Sequence, residues 1–147
     1  MAGERAGGGQ VSGGQPPMTM FALAQRAMSA QLVRMNAAAS NLANAGSVAG
    51  SEQGAYKPIR AVFAEDLDAA SGLASVDVQA VQREQAAAVR QHSPGHPLAD
   101  ANGDVWVAPV DENAEMVEML EASRQYQNLV EALSTAKQLM LDTVRMK

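Results

Sequence analysis

From Asp111 to Lys147 the chain contains neither Gly nor Pro, and apolar or small side chains return at alternating steps of three and four. The series is Met116, Met119, Ser123, Tyr126, Val130, Leu133, then Met140 and Val144. This spacing predicts one long helix carrying a coiled-coil seam, or a helix packed along one side. Leu120, Leu129 and Leu141 widen the seam, Ser123 thins it and Lys137 interrupts it. Asp111, Glu112, Glu115, Glu118 and Glu121 crowd its start, while Lys137, Arg145 and Lys147 lie near its end. That order suits the helix dipole. Such a rod is roughly 55 Å long, more than the compact core of a chain this size covers. Another part of the chain, another copy, or both must lie along it.

A second helix is predicted from Thr19, its N-cap, to about Asn44. Phe21, Ala24, Met28, Gln31, Met35, Ala38, Leu42 and Ala45 step by three and four, and Leu32 and Ala39 flank them. Period alone fits an ordinary buried amphipathic helix equally well. Its only charges are Arg26 and Arg34, and that shortage favours neighbours on several sides.

Between the helices the pattern shortens. Gly46, Gly50 and Gly54 mark a break. Tyr56 to Glu65 reads as a short extended segment that Pro58 keeps out of a central strand, and Glu65 to Gly72 as an acidic, flexible connector. Ser75 to Gln82 alternates and reads as a strand, with Gln85 to Gln91 as a candidate partner, although its Ala run also suits a helix. Ser93 to Pro97 is a rigid turn, and Val105 to Val107 a short strand after the Asn102-Gly103 turn. Pro109 stops it, and Asp111 caps the long helix. The predicted fold is mainly α with a small β insert: residues 18–45 a helix, 46–110 loop and a short β-hairpin region, 111–147 a helix, with the terminal helices pairing as a coiled coil. Residues 1–17, with six Gly and two Pro, read as a disordered tail with almost nothing to bury. Met18 and Met20 are alternative starts to Met1.

Composition narrows the function. Of 147 residues, 47% are hydrophobic but only 3% aromatic, which favours close-packed helices of Ala, Val, Leu and Met. With no Cys, disulfides and thiolate metal sites are excluded. The net charge of −5, without any cluster of Lys and Arg, disfavours nucleic acid. No apolar run approaches a membrane span, and the start lacks the apolar core of a cleaved secretory signal. No nucleophile elbow or Gly-rich phosphate cradle supports an enzyme. Asp100, Asn102 and Asp104 resemble half a calcium loop, but Gly103 is misplaced and no Glu closes it. His92 and His96 need two further zinc ligands, and Pro94-Gly95 breaks any helix between them. No metal or cofactor is expected.

Two stretches carry a family resemblance. Arg34-Met35-Asn36-Ala37-Ala38-Ala39-Ser40-Asn41-Leu42-Ala43-Asn44-Ala45 is similar to the N-terminal signature of bacterial flagellar axial proteins, the rod and hook family. Pro94-Gly95-His96-Pro97-Leu98, with Glu115-Met116-Val117 and Ser123-Arg124-Gln125-Tyr126-Gln127-Asn128, resembles the short proximal-rod members. The short insert excludes the distal rod and hook types, which carry much larger middle domains. The family usually has Asn where Pro109 stands, and a shorter start. The resemblance implies export through the flagellum's own type III apparatus, then helical stacking with copies of itself and other rod proteins into a torque-transmitting shaft across the periplasm. A different short axial protein, or a coiled-coil adaptor unrelated to flagella, are the alternatives.

The implied subunit interface comprises Met28, Met35, Asn36, Ser40, Asn41, Leu42 and Asn44 on the first helix. On the second it comprises Met116, Met119, Arg124, Tyr126, Asn128, Val130, Leu133 and Met140. For Ser40, Asn41 and Asn44 the competing reading is local capping, since Asn readily ends helices. Tyr126 lies on the seam, where a buried hydroxyl needs a partner. Val62 and Phe63 form an apolar island, read as an export recognition element or, more ordinarily, as a strand packed on the helices.

Overall fold

The computed structural model describes residues 19–147; the tail expected to be disordered lies outside the described residues. The order is α1 (Met20–Ala43), β1 (Val48–Ala49), β2 (Ile59–Asp68), β3 (Leu73–Arg83), β4 (Val89–His92), β5 (Asp104–Val107) and α2 (Glu112–Arg145). Mainly α with a β insert is therefore the architecture.

Both helix starts lie at their expected caps. The Thr19 hydroxyl accepts from Ala22 N, and the Asp111 carboxylate accepts from Asn113 N and Ala114 N, satisfying amides that the helix itself leaves free. Asn44 ends α1, its side-chain amide donating to Ser40 O at 2.8 Å.

The insert is larger than its sequence suggests. β2 and β3 form an antiparallel hairpin in which Asp68 faces Leu73. The acidic stretch from Glu65 is thus strand up to Asp68, and only residues 69–72 form the turn. The Asp68 carboxylate accepts from Ala70 N and Ser71 Oγ, and Gly72 supplies a φ of +68°, a conformation that favours glycine. Acidic residues tolerate this strand because a two-stranded ribbon leaves much of each face in water. The partner assigned to β3 is also corrected: β3 pairs with β2, whereas Val89–His92 pairs with β5 in a separate sheet of order β1-β5-β4. Pro58 stands directly before β2, where its missing N–H breaks no ladder.

α1 lies between α2 and the hairpin. Toward the hairpin, Arg26 donates to Asp66 and Ser75. Toward α2, Arg34 reaches Glu118 and Gln125. The end of α1 meets the start of α2 through Asn41 and Glu115, while Met20 and Phe21 share a cleft with Leu133 and Met140. The two helices are therefore antiparallel. The buried core is thin and made of small residues, including Ala30, Ala37, Ala38 and Ala122.

Candidate assembly interface

The tightest part of the molecule is a polar knot where α1, β2 and α2 meet. Asn41 Oδ1 accepts from Ile59 N at 2.8 Å and from the Tyr56 hydroxyl at 2.9 Å. Its Nδ2 donates to Ile59 O at 2.9 Å and to Glu115 Oε2 at 3.2 Å. Arg60 Nη2 lies 2.6 Å from Glu115 Oε1; hydrogen bonding to that carboxylate raises the Arg60 pKa further. Burying a carboxylate is costly unless it is paired and hydrogen-bonded, and Glu115, only 2% exposed, has both forms of compensation. The knot fixes the angle at which α2 leaves the insert.

This corrects one expected role. Asn41 is fully buried, and both its amide hydrogens and its oxygen are engaged within the chain. Asn44 forms the local cap and Ser40 lies 3.2 Å from the Tyr56 hydroxyl. Within the chain the Ser-Asn-Leu-Ala-Asn stretch ties the end of α1 to Tyr56, Ile59 and Glu115.

A second knot holds the three-stranded sheet. The Asp104 carboxylate lies 2.8 Å from His92 Nδ1 and accepts from Arg90 Nε at 2.6 Å and from Arg90 Nη2. The His92 hydrogen bond first, and then Arg90, hold its pKa below the ordinary carboxylate range. The half calcium loop is thus a turn: Asp100 Oδ1 accepts from Asn102 N and Asp104 N. Gly103 has a φ of +79°, and an added Cβ there would lie 3.1 Å from Pro94.

The expected seam of α2 meets α1 only in part, at Leu133 and Met140. The α1-facing stripe runs through Glu115, Glu118, Ala122, Gln125 and Leu129 to Ala136 and Met140. Ala122 is 0% exposed, since its methyl allows close approach of the helices. Met116, Ser123 and Val130 of the seam each directly follow a residue of that stripe and so lie about 100° from it. Met116 and Val130 are accordingly exposed, and Met119, Ser123 and Tyr126 are half-buried. The Tyr126 hydroxyl meets no partner among the described residues and borders a shallow groove with Val130 and Ser134. Arg124 and Asn128 are exposed, as is Asn36 on α1, while Met28, Met35, Leu42 and Leu133 are half-buried.

Beyond Ala136 the helix has little cover. Leu139, Met140, Leu141, Val144 and Met146 are all exposed, Val144 at 73%. Met20 and Phe21 at the opposing end of α1 are exposed too. Sequence reasoning marked Met140 and missed Leu139 and Met146, which lie off the seam and become apparent only once α1 is seen to stop short. Val62 and Phe63 flank an irregularity in the β2–β3 register. Phe63, 37% exposed, borders a small crevice with Ala37 and Ala38 of α1, and Val62 is half-buried.

Residues 102–146 match the family model for the C-terminal region of flagellar basal body rod FlgEFG proteins. The chain is 45% identical to the flagellar basal-body rod protein FlgC of Salmonella typhimurium over 129 residues, covering 86% of this chain and 95% of that protein. It is 44% identical to FlgC of Escherichia coli O6:H1 over the same shares. The FlgC of Agrobacterium fabrum is 31% identical over 83% of this chain and 88% of its own length. With two long helices bracketing a short β insert and relatives that match it almost end to end, the chain belongs to the FlgC family of structural subunits of the flagellar basal-body rod.

Proposed function

We propose that the chain builds the rod by burying the open stripes of its terminal helices against neighbouring subunits, copies of itself and other rod proteins, in a coiled-coil layer. The observation that carries this is the apolar end of α2. Leu139, Leu141, Val144 and Met146 lie in water, and Met140 is covered only in part by the Met20 end of α1. Exposed apolar patches of this kind mark interaction surfaces. Met116, Val130 and Tyr126 extend the same surface toward the middle of α2, and Met28, Met35 and Leu42 contribute where α1 leaves them half open. The stiffness that torque transmission requires comes from the same burial, because a covered α2 no longer frays.

The polymer sits in the rod between the membranes, and its subunits leave the cell by the flagellar type III export apparatus, as the family resemblance implies. The test is a Leu141→Asp/Val144→Asp double variant in a flagellated host. Export of the variant should continue and the isolated chain should unfold at an unchanged urea concentration, while basal bodies lack a complete rod and cells are non-motile. Normal rods built from the double variant would sink the proposal.

A further inference from the structure

The hairpin has a face that no part of the described chain covers. Side chains alternate across a strand, and the register places Glu65 opposite Val76 and Leu67 opposite Ala74. These four share one face, and all four are exposed, Leu67 at 67%. The intervening pair, Asp66 and Ser75, points the other way, to Arg26 on α1. α1 therefore packs on one face of the ribbon and leaves the other an apolar patch with a carboxylate in it. Glu65 forms no ion pair among the described residues, and from Ala61 to Val81 the chain carries four acidic residues and no basic one.

The end of α2 has the complementary chemistry. Lys137, Leu141 and Val144 are spaced four and three apart and so share one helical stripe. All three are exposed, and Lys137 pairs with no carboxylate among the described residues. Arg145 adds a second cation beside the stripe. Within one subunit the two surfaces do not meet, because α1 intervenes and, among the described residues, the ion pair between hairpin and α2 is Arg60–Glu115 at the far end.

We propose that the outer face of the β2–β3 hairpin is a docking surface for a second copy of this chain, and that it receives the last turns of α2, with Leu141 and Val144 on Leu67 and Val76 and Lys137 against Glu65. Opposite charges steer the encounter and set the register, while the apolar contacts exclude water from the pair. The inference rests on the terminal-helix reading above, since it supplies a seat for the α2 end that reading leaves uncovered. It adds the hairpin to the assembly surface, a region the resemblance does not mark.

The chain has no Cys, so engineered pairs report without background. Two differently tagged full-length versions, Leu67→Cys and Val144→Cys, are co-expressed in rod-building cells and oxidised, with Val144→Cys beside Met116→Cys as the comparison. A mixed-tag disulfide between positions 67 and 144 is expected. Its yield should fall roughly tenfold with Glu65→Lys or Lys137→Glu alone, the scale of a desolvated interfacial ion pair, and recover when both are present. If Val144→Cys crosslinks to Met116→Cys or to itself but not to Leu67→Cys, assembly through the terminal helices stands and the hairpin seat is overturned. If Val144→Cys crosslinks to nothing in assembled rods, the terminal-helix reading fails with it. Capture of Leu67→Cys by a different rod protein overturns the choice of a second copy.

Discussion

The two halves of α2 have similar helix-forming composition and different surroundings. Through the turns around Glu115 to Gln125 the helix is tied to α1 and β2 by Asn41, Arg60 and Arg34, and Ala122 is sealed. From Lys137 onward no side chain is buried. α1 has 24 residues and α2 has 34, so at 1.5 Å per residue α2 outruns its partner by about 15 Å. Most helical stability in proteins comes from tertiary packing of an apolar face. The first half therefore draws its order from its own subunit, and in the proposed assembly the second half would draw it from a neighbour.

The largest expected effect comes from cutting the first half loose. Asn41→Leu removes the partner of the Ile59 backbone groups, one of two partners of the Tyr56 hydroxyl and one partner of the Glu115 carboxylate. It should destabilise the isolated chain by about 2–3 kcal/mol in urea unfolding, given the cost of unsatisfied buried polar groups, the Tyr56 hydroxyl keeping Ser40 as its remaining partner. A loss below 1 kcal/mol would show that the knot does not anchor α2.

Next in size is Ala122→Leu, which forces the helices apart at their closest approach. Overpacking of this kind costs about 2 kcal/mol, again read in the urea midpoint. Thr143→Leu, at an exposed position of the second half, should leave the midpoint nearly unchanged; equal losses at both sites would erase the contrast between the halves.

Acid sharpens the comparison from the side of the sheet that feeds α2. The Asp104 carboxyl titrates below its ordinary value, so its contribution to stability is complete above the unfolded pKa of about 4. It is lost as pH falls through the lower folded value. Urea midpoints at pH 7 and pH 3 should differ less in Asp104→Asn than in the parent chain, and an identical difference would contradict the assignment.

The smallest effect on the subunit, and the most telling on the rod, belongs to Tyr126→Ala. The hydroxyl has no partner within the described chain, so unfolding should shift modestly, by about 1 kcal/mol or less. Rod assembly, scored by basal bodies per cell, should weaken more. Equal losses in the two assays would return Tyr126 to the subunit core.

The helices were legible because their signals are local. Thr19 and Asp111 supply caps, the apolar steps of three and four supply the period, and no Gly or Pro interrupts Asp111 to Lys147. The hairpin was half legible, since Ser75 to Gln82 alternates but Glu65 to Asp68 looks like a solvated linker. Nothing local tells an exposed edge strand from a loop when its partner lies beyond the turn.

What the sequence determined by itself was the two long helices, their caps, the short insert and the family that carries its two signature stretches, because each follows from side chains a few positions apart. What only the tertiary structure decided was which stripe of α2 faces α1, that the Asn41 side chain is bonded within its own subunit, and how far α2 runs past α1. Those outcomes depend on how closely Ala122 lets two helices approach and on which buried polar groups find partners. Both are settled between residues some eighty positions apart.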